Sequence, residues 1–183
     1  MERTQAFEEL TARLPNKNLI KHSLAVEAIM RELAGFFGED APKWGLAGLL
    51  HDIDYERTAN DPSRHSILGA EILESIEIED AIVYAVRAHN DYHGIERRRK
   101  MDKALYCADP VSGLITAGAL ILPSKKLQDV TVEFLIKRFN EKGFASGANR
   151  EQIKRCDELG LTLEQFIDIS LNAMLKIAEE LGL

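Results

Sequence analysis

Apolar residues recur at three- and four-residue spacing along almost the whole chain, the pattern of helices that each bury one face. Leu19, Val26, Ile29, Leu33 and Phe37 mark one such helix from Lys17 to Phe37, and Gly38 stops it. Thr4 to Leu14 is a shorter amphipathic segment closed by Pro15. Asp40 can cap a third helix from Pro42 to about Leu50. Asp61-Pro62 pairs an N-cap acceptor with a residue that tolerates a missing N–H, which predicts a helix from Ser63 to Ser75. Ile82, Ala85, Val86 and His89 share one face of a helix from Glu79 to about His89. Asn90 to Lys100 is polar, holds Gly94 and the run Arg97-Arg98-Arg99-Lys100, and predicts a surface loop. The helical pattern returns from Met101 to Leu122, kinked or restarted at Pro110 and ended by Pro123. Beyond it, Asp129 can cap a helix from Val130 to Phe139. Asn149 with Gln152, and Thr162 with Gln165, have capping-box spacing, and the final helix reaches about Glu180. No repeat and no extended alternating stretch interrupts this, so the expectation is an all-α fold, one domain over residues 1–183.

Composition adds limits on chemistry. A hydrophobic fraction of 45% with 29% charged residues is ordinary for a globular chain of 183 residues. The 23 basic and 30 acidic residues leave a net charge of −7. That balance argues against duplex nucleic acid as a partner, because such affinity comes from neutralising phosphates. It leaves room for a small phosphorylated substrate held locally. Cys107 and Cys156 lie far apart without CxxC spacing, and the start Met1-Glu2-Arg3-Thr4 has no apolar leader core. Both suit reduced thiols in the cytoplasm. The apolar stretch Gly113 to Leu122 is too short to cross a bilayer, so no membrane is expected.

The stretch Ala47-Gly48-Leu49-Leu50-His51-Asp52-Ile53-Asp54 carries adjacent imidazole and carboxylate groups into an apolar run. Burying them costs several kcal/mol unless something pairs with them, on the order of the usual penalty for polar groups. A salt bridge or a cap explains an isolated pair. The other inward polar groups change the balance: His22, His65 and His89 lie on apolar stripes, and Asp109 sits at the Pro110 irregularity. Several neutral imidazoles with two carboxylates are hard to satisfy by backbone carbonyls together, whereas a dication satisfies them all. Imidazole plus carboxylate suits Mn, Fe, Co, Ni or Zn better than Ca or Mg.

The ordered set His22, His51-Asp52, His65, His89 and Asp109 resembles the HD superfamily of metal-dependent phosphohydrolases, with an HD-like core from about Lys17 to Leu122 and a C-terminal helical extension over 123–183. His51-Asp52-Ile53-Asp54-Tyr55-Glu56, Gly113-Leu114-Ile115-Thr116-Ala117 and Phe144-Ala145-Ser146-Gly147-Ala148-Asn149-Arg150-Glu151 are similar to small prokaryotic members known as predicted hydrolases. The resemblance implies that His22, His51, Asp52 and Asp109 bind a first metal. It implies that His65 and His89 serve a second, with Asp52 bridging the two. The activity implied is cleavage of a phosphomonoester or phosphodiester, nucleotide-like, by water held between the ions.

Two departures mark the limits of that resemblance. His89-Asn90 stands where branches that cleave cyclic dinucleotides often have a His-His pair, and no Gly-Tyr-Pro signature is present. His51-Asp52-Ile53-Asp54-Tyr55 replaces the frequent His-Asp-Ile-Gly-Lys run, so that phosphate-contacting Lys is missing. His93, one turn beyond His89 if the helix continues, is a candidate to protonate a leaving group. Arg64, Arg57 and Lys103 are the substrate-binding candidates, Arg64 first because it precedes His65 at the expected helix start. Cys107 is expected to be a small buried hydrophobe. Two other readings share the ligand set: a di-iron HD-type oxygenase, and a non-catalytic HD signalling module.

Overall fold

The computed structural model describes residues 1–141 and 143–183. Among these residues there is no strand. The helices are α1 (Arg3–Arg13), α2 (Lys17–Phe37), α3 (Ala41–Leu50), α4 (Tyr55–Thr58), α5 (Ile67–Ser75), α6 (Asp80–Ala88), α7 (Lys100–Ile121), α8 (Val132–Phe139), α9 (Arg150–Lys154), α10 (Leu163–Leu175) and α11 (Ala178–Leu181). The all-α expectation holds.

Helix α2 is the axis of the bundle and packs against α3, α7 and α10. Its ends are set locally: the Asn16 side chain accepts from the Asn18 N–H at 2.9 Å, and Gly38 takes the left-handed conformation at φ 69°. Ile29, Met30 and Leu33 are fully buried along it. Contact with α3 runs through Gly48, where a Cβ would meet the Val26 carbonyl oxygen at 2.7 Å and Glu27 backbone at 2.9 Å. The two backbones therefore touch at this point.

Four boundaries differ from the pattern-based expectation, each for a tertiary reason. Helix α5 begins at Ile67 rather than Ser63, because Ser66 sits at φ 70°. Asp54 holds it there by accepting from its N–H at 2.9 Å, while its hydroxyl donates to the Arg87 carbonyl at 3.2 Å. Helix α7 runs unbroken through Pro110. The buried side chains Leu105, Val111, Leu114 and Ile115 around that proline hold the helix in register despite the missing N–H. Helix α8 starts at Val132, with the Thr131 hydroxyl accepting from the Phe134 N–H, and Asp129 closes a short 3-10 turn instead. The last helix breaks at Ile177, which leaves the helical region at φ −121° and lets Ala178 and Leu181 turn in as buried residues of α11 against α2.

By length and composition α7 matches a spanning helix, with mean hydropathy 1.4 over its best window, yet 67% of that window is buried within the bundle. It is the core helix on which α2, α6, α8, α9 and α10 pack.

Candidate metal centre

The six expected residues converge from five separate segments of the chain. His22 lies on α2, His51 caps α3 at its C-terminal end, and Asp52 follows in the turn before α4. His65 sits in the turn ahead of α5, His89 caps the C-terminal end of α6, and Asp109 lies within α7. His22 Nε2 is 3.2 Å from His51 Nε2 and 3.1 Å from Asp109 Oδ1. Asp52 stands in the middle with its two oxygens divided. Its Oδ2 is 3.4 Å from His51 Nε2 and 3.6 Å from His22 Nε2. Its Oδ1 is 3.4 Å from His65 Nε2 and 3.6 Å from His89 Nε2.

All four imidazoles turn Nε2 inward because Nδ1 is engaged on the other side. His51 Nδ1 faces the Gly48 carbonyl at 2.8 Å, and His89 Nδ1 faces the Val86 carbonyl at 2.6 Å. Carbonyls only accept, so both Nδ1 atoms carry a proton, and Nε2 is the nitrogen that each ring can offer to an ion. His22 Nδ1 pairs with the Ser112 hydroxyl at 3.0 Å, and that hydroxyl donates to the Asp109 carbonyl at 2.7 Å, which leaves it an acceptor for His22. His65 Nδ1 pairs with Asp54 Oδ1 at 3.2 Å.

This arrangement fits a cation and little else. Four ring nitrogens and two carboxylates point at one another, and the buried His89 Nε2 has no hydrogen-bond partner. Two donor groups, His22–His51–Asp109 and His51–Asp52–His89, each keep one ligand atom per residue within 4.8 Å of the others. Metal–ligand bonds of about 2.0–2.2 Å bring ligand atoms to separations of this order. The electrostatics agree. Burial alone would lower the pKa of His51, but Asp52 through charge and hydrogen bonding, helped by Asp109, raises it to about 9. Burial would likewise raise Asp52, and the imidazoles of His51, His89 and His22 hold it well below the carboxylate range. Asp109 is lowered too, against burial, by its hydrogen bond from His22 and the charges of His22 and His51. Burial opposes protonation of His65, and Asp54 with Asp52 outweighs it to raise its pKa.

The remaining candidates lie outside the cluster. Helix α6 ends at Ala88, so His93 is not on its continuation. It sits in a 3-10 turn (Asp91–His93) with Nε2 2.9 Å from the His65 carbonyl. Asn90 also donates to the His65 carbonyl, at 3.1 Å, so both residues brace the turn that presents His65. Arg64 and Arg57 are exposed and Lys103 is half-buried; none forms a hydrogen bond or ion pair to the six among the described residues. The regular helix starts three residues after Arg64, which removes the helix-terminus argument for it. Cys107 is fully buried, and burial pushes its thiol up, as for an inert core residue.

Asp54 is the residue that pattern reading passed over. It is fully buried and holds both His65 and the Ser66 N–H. Gly69 leaves room for it, since a Cβ there would lie 3.2 Å from Asp54 Oδ1. A second carboxylate two residues after Asp52, inside an apolar stretch, was the available signal. Ser112, one turn after Asp109, left no comparable trace.

Comparison with known proteins gives a consistent set. The sequence matches the family model described as HD domain over residues 19–122. It is 32% identical over 139 residues to Ribonuclease Y of a Nitratiruptor species, covering 74% of this chain and 26% of that protein. Ribonuclease Y of Clostridium perfringens is 28% identical over 177 residues, covering 90% of this chain and 32% of the relative. The chain thus spans about a quarter to a third of the length of these relatives. Among solved structures, the HD domain of the L. monocytogenes phosphodiesterase PgpH, in complex with cyclic-di-AMP, superposes with a TM-score of 0.56 at 14% identity over 94% of both chains. At that identity the likeness is one of fold.

Proposed function

Because this chain belongs to the HD domain family, we propose that it is a metal-dependent phosphohydrolase with two transition-metal ions. The observation that carries the reading is the division of Asp52: one carboxylate oxygen faces His22 and His51, the other His65 and His89. His22, His51, Asp52 and Asp109 would hold one ion, and Asp52, His65 and His89 the other. Bound ions of this class supply Lewis acidity, neutralising phosphoryl oxygens and lowering the pKa of water toward 7, on the order seen in zinc hydrolases.

The chain's own residues do the rest. The Gly48 and Val86 carbonyls, Ser112 and Asp54 lock the four rings with Nε2 inward, so no reorientation is needed when charge develops. His51 and His89 exclude water from the back of the site, whereas His22 and Asp109 keep 24% and 32% of their side chains exposed and form its open edge. Leaving-group protonation by His93 would require it to release the His65 carbonyl. The relatives are named as a ribonuclease and a phosphodiesterase, which favours a phosphodiester over a monoester, and hydrolysis over the oxygenase and signalling readings. The net charge of −7 favours a small nucleotide-like ester over a long polyanion. Residues 123–183, packed on α2 and α7, complete the same domain.

Elemental analysis of anaerobically purified protein, followed by a phosphoester panel on that metal form, tests this. The expected result is about two equivalents of Mn, Fe, Co, Ni or Zn and hydrolysis of at least one phosphodiester. Iron-loaded protein that hydrolyses nothing and consumes oxygen would replace the reading with the oxygenase.

Asp54→Asn isolates the outer partner of His65. The amide can give Ser66 its acceptor only by turning its NH2 toward His65 Nδ1, which forces the proton onto Nε2. The expected outcome is loss of one ion's affinity by about 10–100-fold, the usual cost of removing such a partner, with the other ion retained. Equal affinity for both ions in the variant and the wild type would refute the positioning role.

A further inference from the structure

A groove of about 460 Å³ runs between α2 and α7, beginning at His22 and walled by Lys21, Gly113, Ala117, Leu120 and Leu181. On α7, Gly113 and Ala117 fall one and two turns beyond Asp109, so the groove continues the line of the metal centre. It also leaves from the correct side. His51, His89 and Asp52 are buried, and the centre meets solvent through His22 and Asp109.

One of the wall residues lacks a structural explanation within the fold. Gly113 lies inside a helix, where glycine costs stability. It has no positive φ, and a Cβ there would meet nothing within 4 Å. Its missing side chain therefore serves no packing; it leaves the passage beside Asp109 open. Lys21 has no carboxylate partner among the described residues, in a chain that carries seven more acidic than basic groups. It precedes His22 on α2, and its Nζ lies over Gly182 at the end of α11, where an added Cβ would come within 2.9 Å of it. Leu120, an apolar residue 51% exposed, lies at the far end, while Asn18 and Thr116 join Lys21 and His22 as the polar groups of a mostly apolar wall. A concave, mostly apolar cleft with a few placed polar groups is the usual form of a small-molecule site, and this volume lies within the usual range of roughly 300–1,000 Å³.

We infer that this groove is the subsite for the nucleoside-sized organic group of a phosphoester. The phosphoryl group sits at the His22–Asp109 end. The inference rests on the phosphohydrolase reading and assigns the residues that select the substrate.

The test is calorimetric titration of the metal-loaded protein with inorganic phosphate and with adenosine 5′-monophosphate. Wild-type protein is expected to bind the nucleotide at least about tenfold more tightly than phosphate, a difference of about 1.4 kcal/mol. Gly113→Leu, which meets open space in a helix and is expected to melt no lower than wild type, should abolish that preference with metal content unchanged. Ala117→Leu is the second blocking variant, with the same expectation. Phosphate binding with no nucleotide preference in the wild type, or a preference that survives both blocking variants, would overturn the groove assignment alone. Binding of neither ligand would overturn the phosphohydrolase reading, and the inference with it.

Discussion

Asp52→Ala is expected to leave the purified protein without bound transition metal, while His65→Ala retains about one of two equivalents. The difference follows from geometry. Among the described residues, Asp52 is the one side chain whose two oxygens face both imidazole pairs, at 3.4–3.6 Å. Removing it takes a ligand from each position at once. Removing His65 leaves His22, His51, Asp52 and Asp109 in place. The alanine at 52 also strips four inward-facing rings of the carboxylate that balances a bound dication, which isolated imidazoles cannot replace. Hydrolysis of any phosphoester accepted by the wild type should fall by more than about 100-fold, beyond the 10–100-fold typical for loss of an outer partner. Metal counting on both variants decides it. Unchanged stoichiometry in both would end the bridging assignment, and loss of a single ion from Asp52→Ala would reassign Asp52 to one position.

Much of this centre was legible because its residues interrupt regular patterns. His22 and His89 occupy positions where helical spacing demands an apolar side chain, and His51-Asp52 closes an apolar run. A polar group at such a place must be partnered, and six of them from five separate segments had to share a partner. The bounds of α2 were equally plain, since its stripe and Gly38 coincide. The parts that stayed hidden depend on contacts that leave no mark on local pattern. The Gly48 and Val86 carbonyls that aim His51 and His89 belong to every residue alike. Ser66 takes a positive φ because Asp54, twelve residues earlier, holds its N–H; propensity alone extends the helix through Ser63. Pro110 reads as a break until the surrounding core is seen to carry α7 through it without interruption. His93 looked available by spacing along a helix that ends five residues before it. Pattern thus reports which groups are buried, and tertiary hydrogen bonds decide which way they point.

Gly48→Ala should show that the centre depends on how closely two backbones approach. Its Cβ would sit 2.7 Å from the Val26 carbonyl oxygen and 2.9 Å from Glu27 N and Cα, all main-chain atoms of α2. Neither helix can yield locally, so α3 must move away from α2. Overpacking of this kind costs about 1–3 kcal/mol, and a clash with backbone belongs at the upper end. The helix-propensity gain of Ala over Gly returns roughly 0.5–1 kcal/mol. The net loss is about 2 kcal/mol, a fall in Tm of about 4–8 °C for a chain of this length. Gly45→Ala is the matched control on the same helix. The three heavy atoms nearest its Cβ would all belong to the Arg31 side chain, which can swing aside at the cost of one partly exposed ion pair with Glu27. That variant should stay within about 0.5–1 kcal/mol of wild type. The consequence for the site is more specific than lost stability. His51 hangs from the Gly48 carbonyl through Nδ1 at 2.8 Å, and His22 rides on α2, so separating the helices widens the 3.2 Å gap between their Nε2 atoms. Metal titration of folded Gly48→Ala, well below its melting temperature, should show the ion held by His22 and His51 weakened by about tenfold, or 1.4 kcal/mol. The ion held by His65 and His89 should change less, because neither residue lies on α2 or α3. Equal weakening of both ions would mean that the centre responds as one unit, and a Tm matching that of Gly45→Ala would mean that the helices absorb the added carbon without separating.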